Sequence, residues 1–206
     1  TVSGRGQMPL QADLIADELR DAGFPEQDIK IVPYEGEPGD KTVALIARWR
    51  ADKPTAKPIL LMAHMDVVEA KREDWKRDRF GFVEEGWYFY GPGSYDNKAG
   101  MTGLVMSFLK LKQAGWKPNR DLILFFTGDE ETKGNGALKG ASEWRELTDA
   151  EYALNSDGGG GAFLANGTSL GFALQTAEKT FQSFHFTVRN KGGHSSRPRP
   201  DNAIYE

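Results

Sequence analysis

The 206-residue chain contains no cysteine. That absence excludes disulfides, thiolate metal sites and a cysteine nucleophile, and it leaves the compartment open. Basic excess is also lacking: 26 Lys and Arg stand against 30 Asp and Glu, a formal charge of −4. Such a chain has no cationic surplus to neutralise phosphates, which argues against nucleic acid as its main partner. No apolar run approaches membrane-spanning length, so no membrane partner is expected. The phosphate-loop pattern GxxxxGK[ST] is absent from the glycine-rich stretch Gly91–Gly100. No signal peptide is visible. Thr1 is not an initiator methionine, so cytoplasmic, periplasmic and secreted locations all stay open. Histidine is scarce, with three in the chain: His64, His185 and His194.

What is present suits a globular chain: 39% hydrophobic and 27% charged residues, at a length that supports one good-sized core. Met8–Gly23 predicts an amphipathic helix, with Leu10, Leu14, Ile15 and Leu19 at helical spacing and Gly23 as its stop. Ile29–Pro33 and Thr42–Trp49 predict strands. Ile59–Ala63, bounded by Pro58, predicts a strand buried on both faces that breaks into His64 and Asp66. Val67–Phe80 is a charged surface loop. Phe82–Tyr90, with Gly86 near its centre, predicts a hairpin. Asn97–Ala114 predicts a helix, Asp121–Phe126 a second buried strand, Gly140–Leu147 a short helix and Tyr152–Leu154 a third apolar strand. From Leu170 the pattern changes: Gly171–Thr176 and Phe181–Arg189 alternate like half-buried strands, and Asp201–Glu206 begins to look helical.

Three apolar strands separated by helices predict an α/β fold with a mainly parallel sheet flanked by helices. Ligands of such sheets sit beyond the carboxyl ends of the strands. There the sequence places His64, Asp66, Asp96, Asp129, Glu130, Glu131 and Asp157. Residues two apart on an extended chain point the same way, so His64 and Asp66 can share a pocket, one binding a metal and the other orienting it. Without cysteine, a metal here must be held by imidazole and carboxylate, which suits zinc, manganese or cobalt. Clustered carboxylates repel one another unless a cation neutralises them. Two divalent ions sharing one carboxylate would relieve that repulsion, acidify a bridging water and polarise a carbonyl. Adjacent Glu130 and Glu131 suit a division of labour between a base and a ligand.

Five segments carry a resemblance, in order along nearly the whole chain: His64-Met65-Asp66-Val67-Val68, Gly93-Ser94-Tyr95-Asp96-Asn97-Lys98, Gly128-Asp129-Glu130-Glu131, Ser156-Asp157 and Gly192-Gly193-His194-Ser195-Ser196. The chain resembles the co-catalytic zinc metallopeptidases, the family of glutamate carboxypeptidase, carnosinase, aminoacylase, acetylornithine deacetylase and succinyl-diaminopimelate desuccinylase. The resemblance implies a zinc exopeptidase-like catalytic domain whose first, incomplete part is residues 1–178. The beginning of an inserted α+β lid and dimerisation domain would follow over residues 179–206. It implies that His64 and Asp157 hold one Zn2+, Glu131 holds the other and Asp96 bridges both, with a cis peptide after Asp96. Asp66 would orient His64, Glu130 would be the general base, and His194 would steady the oxyanion in the site of a neighbouring subunit. The family's second metal takes a further histidine near the end of a longer chain, and this sequence ends before it; the expectation is either a fragment of a longer protein, homodimeric through its lid, or a remainder carried on another chain.

The implied activity is cleavage of amide bonds in small peptides, as a carboxypeptidase or dipeptidase, with N-acyl-amino-acid deacylation as the alternative. Aspartate at position 157 follows the family's habit in peptidases. Lid-less zinc aminopeptidases share the ligand order, but Gly192–Pro198 after alternating strands suits a lid. A metal-free binding or dimerisation module is the reading from another class. Intact Glu130 and Asp66 count against it, because such a module needs neither a base nor an orienting carboxylate.

Overall fold

The computed structural model describes every residue except 3, 159, 181, 195, 197–199 and 201–206. The chain divides into two compact units, Thr1–Phe172 and Ala173–Glu206.

The first unit is built on a five-stranded sheet. Its strands are β1 (Ile29–Glu35), β2 (Lys41–Trp49), β3 (Ile59–His64), β6 (Leu122–Thr127) and β7 (Tyr152–Asn155), in the order β1-β2-β6-β3-β7. β3 is parallel to both β6 and β7, while β2 is antiparallel to β1 and β6. Four strands therefore run one way and β2 alone is reversed. The expected hairpin is present as β4 (Val83–Glu85) and β5 (Tyr88–Tyr90). A second small hairpin pairs β8 (Gly160–Phe163) with β9 (Ser169–Ala173). The helices are α1 (Met8–Asp21), α2 (Gly100–Gln113), α3 (Asn135–Ala141) and α4 (Arg145–Thr148).

The period-two rule for strands assigns the core to two faces. Val43, Leu45, Ala47 and Trp49 of β2, with Leu124 and Phe126 of β6, pack against α1 and α2. The alternate residues Ala44, Ile46, Ile123 and Phe125 face the other way, against Tyr34, Trp144 and Leu147. Phe24, Trp49 and Phe108 close the first layer with ring contacts at 5.2–5.9 Å. Each such fully buried large side chain is stabilised by about 1.5–3 kcal/mol relative to exposure.

Several sequence expectations are corrected. α1 turns a different stripe inward: Met8, Ala12, Ile15, Ala16 and Leu19 are buried, while Leu10 and Leu14 are 72% and 62% exposed. The two alanines let the helix approach the sheet closely, and Leu10 and Leu14 lie off that stripe. The first four residues of β3 are half-buried and β7 is exposed throughout, because β7 is the sheet's edge and shields its neighbour poorly. α2 begins at Gly100 rather than Asn97, since Asp96 and Asn97 hold non-helical conformations (ψ 104° and 25°). The single helix expected over Gly140–Leu147 is two, broken at Ser142 (φ −126°, ψ −80°). No strand forms over residues 182–190. A strand needs a paired neighbour and a layer beneath its alternate side chains; Phe184 and Phe186 instead lie exposed with their rings 6.3 Å apart. The helix start expected at Asp201–Glu206 lies outside the described residues.

Candidate metal centre

Parallel pairing sets the site. β3 and β6 are in register with His64 opposite Thr127, and the Met65 N–H donates to the Thr127 carbonyl at 2.7 Å. The segments beyond both strands, 64–66 and 128–131, therefore leave the sheet side by side. On the other flank Met62 pairs with Asn155, and the Ser156 N–H donates to the Met62 carbonyl at 2.9 Å, which brings Asp157 to the same edge. The turn Ser94–Ala99 then lays Asp96 across these ends.

His64 is the hub. Its Nδ1 lies 3.0 Å from the Asp66 backbone carbonyl and 3.4 Å from Asp66 Oδ1. A carbonyl only accepts, so Nδ1 carries a proton and Nε2 is the nitrogen turned to the cluster, available as a ligand once deprotonated. Nε2 lies 2.9 Å from Asp96 Oδ1, 3.6 Å from Asp157 Oδ2 and 3.9 Å from Glu130 Oε2. Two triads have ligand atoms mutually within 4.8 Å: His64–Asp96–Glu131 and His64–Glu130–Asp157.

Asp66 is fully buried and works on both sides of the cluster. Besides facing His64, its Oδ1 accepts from the Glu130 N–H at 3.1 Å and its Oδ2 from the Glu131 N–H at 3.0 Å. One carboxylate thus sets the imidazole and the backbone of both glutamates.

The electrostatics of the cluster follow from this crowding. Burial, then the neighbouring carboxylates, raise Glu130, Glu131 and Asp157 above the usual carboxylate range, with His64 opposing. Burial opposes charge on His64, but Asp66, Asp96 and Glu130 outweigh it and push its pKa up to about 9. Anions crowded until they favour protons, around an imidazole with Nε2 turned inward, match the donor set of a divalent cation. The residues present fit a metal.

Supporting contacts lie beneath the cluster. The Asp96–Asn97 peptide is cis. Asn97 is buried, and its Oδ1 accepts from the Ser156 hydroxyl at 3.2 Å. Gly100 lies so close that a Cβ there would sit 2.4 Å from Asn97 Oδ1 and 2.5 Å from Ser156 Oγ; only glycine fits. Lys98 Nζ donates to the Met65 carbonyl at 2.8 Å, to Thr1 Oγ1 at 2.7 Å and to Gln11 Oε1 at 2.9 Å, and its burial pushes it down to about 8. It ties the Asp96 turn to the His64 segment. Asn97, Lys98 and Ser156 were missed as support in the sequence, where nothing but adjacency to Asp96 and Asp157 marks them.

Asp129, grouped in the sequence with the strand-end carboxylates, points elsewhere. It is fully buried, and its oxygens are taken by the Tyr34 hydroxyl and the Asn135 and Gly136 N–H groups. His194 lies in the second unit, where its Nδ1 sits 2.7 Å from the Ser196 hydroxyl; His185 is exposed in the same unit.

Peptidase family M20/M25/M40 matches residues 60–191. Carboxypeptidase S of Saccharomyces cerevisiae is 32% identical over 167 residues, covering 77% of this chain and 29% of its own length. The N-fatty-acyl-amino acid synthase/hydrolase PM20D1 of Xenopus tropicalis is 32% identical over 150 residues, covering 71% and 29%. Among solved structures, human carnosine dipeptidase 1 superposes with a TM-score of 0.61 at 20% identity, over 76% of this chain and 35% of that one. The Saccharomyces cerevisiae di-peptidase Dug1p gives 0.63 at 21%, over 79% and 36%. The chain spans about three tenths of the length of the first two relatives, and the two structures share its fold. With more than half of its residues matched, including every member of the cluster around His64, the chain belongs to Peptidase family M20/M25/M40.

Proposed function

We propose that the protein carrying this chain is a metal-dependent hydrolase of amide bonds in small peptides, a zinc exopeptidase acting as a carboxypeptidase or dipeptidase. The observation that carries this reading is the convergence of His64, Asp96, Glu130, Glu131 and Asp157 on one sheet edge in a chain of this family. His64 and Asp157 would hold one ion and Glu131 the other, with Asp96 shared between them. Two Zn2+ ions are proposed, with Co2+ or Mn2+ acceptable to the same ligands. When bound, the ions supply Lewis acidity toward a carbonyl and toward water.

The chain's own residues do the rest. Glu130 is the general base: its side chain is half-exposed at the mouth of the cluster, 3.9 Å from His64 Nε2. Its raised proton affinity suits a group that takes a proton from water and returns it to the leaving amine. Asp66 holds His64 in one tautomer and fixes the Glu130–Glu131 backbone. Residues 179–206 are read as the start of a lid and dimerisation domain, through which His194 would serve a neighbouring subunit's site. N-acyl-amino-acid deacylation is the second reading. It is favoured by relatives named for acyl amino acids, including pig Aminoacylase-1, which is 28% identical and covers 92% of this chain and 44% of its own length.

The test uses the full-length protein. Dipeptides and N-acyl amino acids are assayed side by side, with metal content measured on the same sample. Glu130→Gln is expected to cut turnover by roughly 10²–10⁴-fold while leaving bound metal unchanged, because it removes a base and no ligand. A Glu130→Gln protein that turns over at the wild-type rate would falsify the assignment.

A further inference from the structure

We infer that Tyr34 and Asp129 form a positioning pair that fixes the far side of the Glu130–Glu131 turn, opposite the hold that Asp66 exerts; the inference rests on the reading of Glu130 as base and Glu131 as ligand. Asp129 immediately precedes Glu130, and its carboxylate and carbonyl oxygens are engaged by β1, by the start of α3 and by the loop before it. Its Oδ1 accepts from the Tyr34 hydroxyl at 2.6 Å and from the Gly136 N–H at 3.0 Å, and its Oδ2 accepts from the Asn135 N–H at 2.8 Å. Its carbonyl accepts from the Gly134 N–H at 2.9 Å and from the Thr132 hydroxyl at 3.1 Å. Tyr34 Oη in turn accepts from the Gly128 N–H at 3.1 Å, and the Gly128 carbonyl accepts from the Thr42 hydroxyl at 3.0 Å. Strands β1 and β2, the end of β6 and the start of α3 are thereby tied to the residue before the base.

The arrangement is built for direction. A carboxylate buried among neutral donors is a costly way to gain stability, and an apolar residue of similar volume would serve a core as well. What the carboxylate supplies is three fixed bond directions. Tyr34 is itself fixed in place, with its ring packed edge-on against Trp144 at 5.4 Å. Burial, then Asp129, raise the phenol above its ordinary range, so it stays a donor. The approach is close enough to require glycine at 136, where a Cβ would lie 2.5 Å from Tyr34 Oη and 2.9 Å from Asp129 Oδ1. Asp66 alone binds the turn through two successive N–H groups, which leaves it free to pivot about that edge. Anchoring Asp129 and Gly128 on the other side removes the pivot. A displacement of 1 Å in a catalytic group can cost about 10²-fold in rate.

Tyr34→Phe and Asp129→Asn are made in the full-length protein, alone and combined with Glu130→Gln. Tyr34→Phe keeps the ring against Trp144 and removes the donor to Asp129. We expect kcat to fall roughly 10-fold in Tyr34→Phe and about 10²-fold in Asp129→Asn, with KM within about three-fold of wild type. With metal held saturating, neither change should lower the residual rate of Glu130→Gln by more than about two-fold, because residues acting through one base are not additive. Metal affinity, read by competition with a chelating dye, should fall about 10-fold in Asp129→Asn as Glu131 shifts. Unchanged kcat in a folded Tyr34→Phe protein, or an equal loss with and without Glu130, overturns the inference. Should Asp129→Asn not fold, Tyr34→Phe decides. If Glu130→Gln keeps the wild-type rate, the base assignment fails by itself, and the metal affinity of Asp129→Asn still decides whether the pair places Glu131.

Discussion

Asp66 shows how one side chain can set several others. Its two oxygens hold the Glu130 and Glu131 N–H groups, and its carbonyl faces His64 Nδ1. Asparagine has the same shape but only one acceptor oxygen, and its amide would meet one of the two backbone N–H groups with a donor. Asp66→Asn is therefore expected to weaken metal binding or activity by about 10–100-fold, the range found when groups orienting metal ligands are altered. Metal content and kcat, measured on the same preparation, check this; a variant with wild-type metal affinity and rate would remove Asp66 from the mechanism. At this scale the candidate site was largely legible. His64, Asp66, Glu130, Glu131 and Asp157 stand out because they follow closely on apolar runs, and Asp96 because it sits in a glycine-rich segment that resembles the family's motif. Tyr34, Asn97, Lys98 and Ser156 were not legible, because their work depends on partners from 33 to 97 positions away.

At the scale of elements, packing decides which of two apolar stripes a helix uses. Leu19 of α1 is fully buried in the core against β2, whereas Leu14, at comparable hydrophobicity, is 62% exposed. Leu19→Ala is expected to destabilise the protein by about 2–5 kcal/mol through lost burial and the cavity left behind. Leu14→Gln should change stability by no more than about 0.5 kcal/mol. Denaturant unfolding of both variants checks the pair, and equal losses would mean that α1 docks through the other stripe. The strands were easier to read than the helix face. Period-two alternation in β2 and β6 has only two sides to choose from, whereas a helix with scattered leucines and alanines offers several.

At the scale of the molecule, the site joins strand ends that are far apart in sequence, and its carboxylates repel one another. A bound cation relieves that repulsion, so metal and stability are linked. Removing metal from the full-length protein with a chelator should lower its thermal stability. Restoring the ion at about 100 times its dissociation constant should return about 2.7 kcal/mol. Differential scanning calorimetry before and after re-addition reads this directly; an unchanged transition would mean that no ion is held at the cluster. The sequence by itself determined the α/β architecture, the strands whose ends carry chemistry, and the residue types a metal would require, because apolar runs and abrupt polarity changes are local signals. Only the tertiary structure decided that β2 is reversed among four co-directional strands, that Asp129 turns from the cluster to Tyr34, and that Asp66 holds both glutamates. Those outcomes depend on strand register and buried hydrogen bonds between distant segments, and no local pattern encodes either.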